Sequence, residues 1–361
     1  MRRSLCNAMC VATALLLTTA SAATAATIGP EPTIFSTDVG VGGFTPGDVL
    51  THGPLSADPV NPPWVGVPAA PLLALPDALF CPGCQIDAMS RGMDLEKRGG
   101  DVTHGILPDQ QNGFLFSVDR AATGASGDVV AEAGGDGAAG DVYVSLLKIS
   151  GAGAVTVHTP GGNELLYDAD GSHGLPGLGL SESPGSEDNL DALDVTFAGH
   201  PGALALSPLF FSTDAIGGGA DIFVFDGVSS SIYATDTDLG LSDNDNIDAL
   251  ILAENGTPGF QAPTGLFDWT DSSADMIFFS LDPTSSRIGT PDAFGGDIIG
   301  PGDVLTVTSS GIEVLIAASA LGLGVNDNLD ALDVVPEPST YAMAAMAFFG
   351  LGFIGWRRRR K

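Results

Sequence analysis

The sequence predicts an all-β body built from four imperfect repeats of about four strands each. Three observations support this. An acidic loop leading into an apolar Asp-Ala-Leu run recurs along the chain, an apolar-Phe-Ser-x-Asp element occurs four times, and no stretch between the two ends holds a long helical period. Fourfold repetition of a four-strand unit fits a four-bladed β-propeller, in which a ring of blades hides the sheet edges. A set of β-sandwich domains is the alternative, because the spacing of the units varies and no established propeller signature is present.

The acidic loop reads LGLSESPGSEDNLDALDV at residues 178–195, LGLSDNDNIDALIL at 239–252 and LGLGVNDNLDALDVV at 321–335. A fourth copy, ALFCPGCQIDAM at 78–89, aligns without a gap on 239–250 and places Ile86, Asp87 and Ala88 on Ile247, Asp248 and Ala249. In that copy Cys81 stands where Ser242 does and Cys84 where Asp245 does.

The Phe-Ser element appears as Ile34-Phe35-Ser36, Leu115-Phe116-Ser117, Phe210-Phe211-Ser212 and Phe278-Phe279-Ser280. Runs opened by an Asp follow it at Asp48, Asp141, Asp221 and Asp303, and their β-branched and aromatic residues read as strands. A further apolar run follows at 154–158, 230–234 and 312–316. The units so defined span 32–93, 113–198, 209–254 and 276–334 within a body of 32–334, each closed by its Asp-Ala-Leu strand. Residues 54–76 hold seven prolines, and 121–140 and 159–177 are rich in Gly, Ala and Asp, so these stretches are expected as loop insertions. Helices are expected only at the two ends.

The chain has 361 residues, with 13 Lys and Arg against 44 Asp and Glu. Seven of the basic residues sit in the two ends, leaving six in the body. So acidic a body repels phosphates and anionic headgroups, which argues against nucleic acid as a partner and leaves cations and neutral glycans.

Residues 1–26 have a basic start, an apolar stretch and small residues at Ala23 and Ala25, the pattern of a secretory signal peptide. Its removal takes Cys6 and Cys10 with it. Cys81 and Cys84 then remain as the only cysteines in an oxidising compartment, and a disulfide between them is expected.

The acidic turns offer closely spaced oxygen ligands: Asp188 and Asp191; Asp243, Asp245 and Asp248; Asp327, Asn328 and Asp330. Such ligands suit Ca²⁺, whereas a plain turn uses the same residues to bond its own backbone, and both readings stand at this point. Catalytic patterns are missing. A nucleophilic Ser is not expected four times over, the five His show no paired metal spacing, and no nucleophile elbow or phosphate loop occurs.

From Val335 the chain runs VPEPSTYAMAAMAFFGLGFIGWRRRRK, with sixteen uncharged residues at 341–356 before five basic ones. The uncharged stretch is expected as a transmembrane helix with the basic run on the cytoplasmic side. This tail resembles the PEP-CTERM sorting domain of exported proteins of Gram-negative bacteria, with Val335, Pro336, Glu337, Pro338 and Ser339 as its signature. The resemblance covers residues 335–361 alone. It implies handling by an exosortase at the inner membrane, cleavage near Pro-Glu-Pro, and delivery to the cell surface or the extracellular polysaccharide matrix. The expected function is that of a non-enzymatic exported surface or matrix protein binding glycan or surface partners. A secreted polysaccharide hydrolase, or an ice-binding or adhesion protein, is the alternative.

Overall fold

In a computed structural model, the protein is described at residues 33–37, 50–51, 85–90, 111–124, 127–133, 137–149, 155–157, 163–183, 188–195, 208–214, 219–265, 273–321 and 323–334. The expected signal peptide, the Cys81–Cys84 turn and the tail lie outside these residues. Among the described residues no helix is long and apolar enough to cross a membrane.

Among the described residues, sixteen strands form four antiparallel sheets. The first joins the two ends of the body, with β1 (Thr33–Ser36) paired to β2 (Leu50–Thr51) on one side and to β16 (Ala331–Val334) on the other. The second runs β3 (Ile86–Ser90), β4 (Gln111–Val118), β5 (Val142–Ile149), with both β6 (Val155–Val157) and β7 (Glu164–Tyr167) on β5. The third runs β8 (Leu190–Val195), β9 (Leu209–Thr213), β10 (Ile222–Phe225), β11 (Ser230–Ala234). The fourth runs β12 (Ile247–Ala253), β13 (Met276–Leu281), β14 (Val304–Thr308), β15 (Gly311–Ile316).

The sheets are shifted by one strand from the sequence repeats. Each Asp-Ala-Leu strand pairs with the Phe-Ser strand that follows it in the chain, β3 with β4, β8 with β9 and β12 with β13, so it opens a sheet instead of closing one. The last described strand, β16, pairs instead with β1. These four strands pack on one another in cyclic order, β3 on β8, β8 on β12, β12 on β16 and β16 on β3.

Packing explains the continuous apolar strands. β9 and β12 are buried at every residue because both faces of their sheets are covered, so no solvent-facing alternation develops. One apolar layer between the third and fourth sheets includes Phe210, Ile222, Leu250 and Phe279, and another between the second and third includes Leu115, Val144, Leu193 and Phe211. Phe35, Ile251, Phe278 and Leu332 join the fourth sheet to the first.

Two expectations about the insertions need correction. The run at 154–158 supplies β6, but the counterpart of β11 and β15 is β7, which pairs with the start of β5 as they pair with the starts of β10 and β14. Helices also occur within the body, as α1 (Gly127–Ala133) and the single turn α2 (Asp236–Leu239). Neither is long enough to show an amphipathic period. α2 is set instead by its ends, with a Thr235–Asp238 capping box and Gly240 left-handed at φ 74°.

Candidate functional site

The repeated polar residues meet where the four Asp-Ala-Leu strands pack together. In β3, β8 and β12 the register slips by one residue at the Asp, so Asp87, Asp191 and Asp248 oppose no residue of the neighbouring strand. Such a bulge re-aims the side chain. Asp330 precedes β16 and its N–H donates to Ser36 O. All four carboxylates are buried.

Asparagines two residues earlier bridge them. Asn189 Nδ2 donates to both Asp87 and Asp191, Asn246 Nδ2 donates to Asp191 Oδ2 at 2.6 Å, and Asn328 Nδ2 donates to Asp248 and, at 2.8 Å, to Asp330 Oδ1. The fourth equivalent position is Gln85. Close approach makes room for one of these amides: a Cβ at Gly219 would lie 2.0 Å from Asn246 Oδ1. Burial, and then the charges of Asp191 and Asp248, push the Asp87 carboxyl well above the ordinary range. Burial pushes Asp191 up to about 7, against the lowering effect of its amide donors.

Beyond this belt the innermost strands are tied by a second set of bonds. Asp194 on β8 accepts from Ser90 Oγ of β3 at 3.1 Å and from Leu252 N of β12 at 2.8 Å. The Ser of the Phe-Ser element performs the same office between sheets. Ser117 Oγ donates to Leu190 O at 2.7 Å, Ser212 Oγ to Ile247 O at 2.9 Å, and Ser280 Oγ to Leu329 O at 2.6 Å, each reaching the start of the next Asp-Ala-Leu strand. Ser36 Oγ is buried without a hydrogen-bond partner.

The candidate calcium ligands fall into three groups. Asp188, Asp245 and Asp327 close their turns, accepting from Ser181 N at 2.8 Å, Ser242 N at 2.9 Å and Gly324 N at 2.6 Å. Asp191, Asp248, Asn328 and Asp330 belong to the buried belt. Asp243 is exposed. Spacing alone places the first two groups in one cluster, because it does not reveal that the bulge turns the second Asp inward. The belt members outside the expected ligands are Asp87, Asn189 and Asn246; the Asp-Asn-Leu/Ile-Asp pattern at 188–191, 245–248 and 327–330 is the signal for the two Asn, and the alignment of Asp87 on Asp248 the signal for Asp87.

The Asp that opens each middle strand holds the following loop. Asp141 Oδ1 accepts from Ala169 N at 2.9 Å, Asp221 Oδ1 from Asp236 N at 2.8 Å and Asp303 Oδ1 from Ala318 N at 2.6 Å. The two leucines of each Leu-Gly-Leu are buried in the layers between sheets.

No curated protein and no solved structure matches the chain. Residues 334–361 match the PEP-CTERM protein-sorting motif, so the chain carries a PEP-CTERM tail, which implies an exported protein handled at the membrane by an exosortase.

Proposed function

We propose that the protein is a non-enzymatic, exported scaffold of the cell surface or extracellular matrix, whose body is a four-bladed β-propeller that binds neutral glycan or surface partners. The observation that carries this reading is the use made of the repeated polar residues: the Phe-Ser serines and the Asn–Asp belt join one sheet to the next. Groups committed in this way to sheet-to-sheet bonds are not turned toward a substrate. The propeller arrangement is supported by the cyclic packing of β3, β8, β12 and β16 and by the pairing of β1 with β16. The acidity of the body favours uncharged partners over polyanions.

A glycan array probed with the purified full-length chain, run beside a polysaccharide hydrolysis screen, tests the proposal. Glycan retention without turnover is the expected result. Turnover abolished by substitution of a single Asp would overturn it in favour of a hydrolase.

A further inference from the structure

We propose that Asp141, Asp168 and Glu182 form a divalent-cation site, of the hard, oxygen-ligated class that takes Ca²⁺, beside the second sheet. One carboxylate oxygen from each lies within 4.8 Å of the others. Asp141 precedes β5, Asp168 follows β7, and Glu182 lies in the acidic loop before β8, so three separate segments converge on the site.

One of the three acids, Asp168, is an addition to the repeat, whereas Glu182 has an acidic counterpart in Asp243. Asp141 performs the loop-holding task shared with Asp221 and Asp303, and Tyr143 Oη also donates to its Oδ2 at 3.0 Å. Asp168 stands where the other sheets have Thr235 and Ala317, and Glu182 where they have Asp243 and Val325. The common architecture does not call for an acid at the Asp168 position.

An independent observation concerns Asp168, which is 0% exposed. Its Oδ2 accepts from His173 N at 2.6 Å and lies 3.2 Å from His173 Nδ1, whereas its Oδ1 is buried and no N–H or hydroxyl donates to it, the Glu182 carboxyl being the acidic neighbour of this side chain. A buried carboxylate oxygen without a donor is costly unless a cation or proton meets it. Glu182 is half-buried and has one distant donor, Asp170 N at 3.4 Å. Gly137 leaves space beside it, since a Cβ there would stand 3.3 Å from Oε2. Burial, the largest cause for each, holds Asp141 at about 7 and Glu182 at about 8, whereas Asp168 lies below its ordinary value because its burial is outweighed by hydrogen bonds with Glu182 and with the backbone of His173 and Gly171.

Three carboxylates suit a hard cation over the soft metals, which prefer sulfur, and ligands drawn from three separate segments suit the variable coordination of Ca²⁺ better than the strict octahedron of Mg²⁺. A glycosidase pair fits poorly. The oxygens are closer than the roughly 5–5.5 Å carboxyl spacing of a retaining enzyme, and Asp168 is closed to a sugar.

The test is calcium titration of the metal-stripped full-length chain by calorimetry, with Tb³⁺ emission sensitised by Tyr143 as a second readout. One bound Ca²⁺ is expected to disappear, or to weaken roughly tenfold or more, in both Asp168→Asn and Glu182→Gln, with Asp243→Asn unchanged. Circular dichroism checks that each variant is folded, and Glu182→Gln, on a partly exposed loop, covers a folding failure of Asp168→Asn. Absence of stoichiometric Ca²⁺ binding to the parent chain would overturn the proposal and leave three acids sharing protons. Unchanged affinity in folded Glu182→Gln would overturn it equally.

Discussion

Ser280 Oγ donates to the backbone oxygen of Leu329 at 2.6 Å, tying the fourth sheet to the strand that completes the first. The same bond runs from Ser117 to Leu190 and from Ser212 to Ile247. Removing the hydroxyl in Ser280→Ala leaves a buried carbonyl without that donor and is expected to cost about 1–3 kcal/mol. Ser36→Ala removes a hydroxyl that has no partner and should cost far less. Urea denaturation of the two variants side by side checks the contrast; equal losses would contradict it.

Phe35 is fully buried, faces Leu332 across the β1–β16 pair, and packs in the layer with the fourth sheet. Phe35→Ala is therefore expected to cost about 3–5 kcal/mol, as a central core Phe does. A loss below that of an exposed-site substitution would show that the N-terminal strand is dispensable and that the two ends do not join.

Asp245 is buried, accepting from Ser242 N and Oγ on one oxygen and from Ser286 Oγ and Arg287 N on the other, all at 2.9 Å. Asp245→Ala should destabilise by about 2–4 kcal/mol, whereas Asp243→Ala, at an exposed position, should stay within about 0.5 kcal/mol. Because these bonds already satisfy the turn, EDTA should leave hydrogen exchange at 242–245 unchanged. Deprotection by EDTA there would restore calcium to the turn.

The buried belt gives stability a pH dependence of definite sign. A carboxyl whose folded pKa is raised favours folding fully below its unfolded value and loses that contribution as pH rises through the folded value. For Asp191, the window runs from about 3.8 to about 7, and Asp87 acts in the same direction. Metal-free thermal melts should therefore show stability falling between about pH 5 and 7, with a shallower slope in Asp191→Asn. That variant sets an amide against the Asn189 and Asn246 donors, so its slope, not its absolute stability, is the measure. An unchanged slope would remove Asp191 from the account.

Export makes a mass prediction. Mature protein from cells with an exosortase should start near residues 26–27 and lack the sequence beyond 336–338. Intact mass ending at Lys361 would defeat the sorting assignment.

The strands and the repeated loop were legible because each is local. Aromatic and β-branched runs between Gly and Asp mark strands, and the acidic Asp-Asn turn is spelled out in contiguous residues at 188–191, 245–248 and 327–330. The tail was legible for the same reason, its apolar and basic blocks being contiguous. The capping box at Thr235 was equally local and was missed because one turn of helix has no period to read.

Only the tertiary structure decided which neighbour each Asp-Ala-Leu strand would choose. Periodicity shows that a strand has a buried face but not which backbone satisfies its edge, so the pairing of β16 with β1, across nearly the whole chain, could not be read from either segment. The bulges that turn Asp87, Asp191 and Asp248 inward arise in the pairing of β3 with β4, β8 with β9 and β12 with β13. Asp141, Asp168 and Glu182 share no motif spacing at all, and they meet because the start of β5, the end of β7 and the loop before β8 come together beside one sheet.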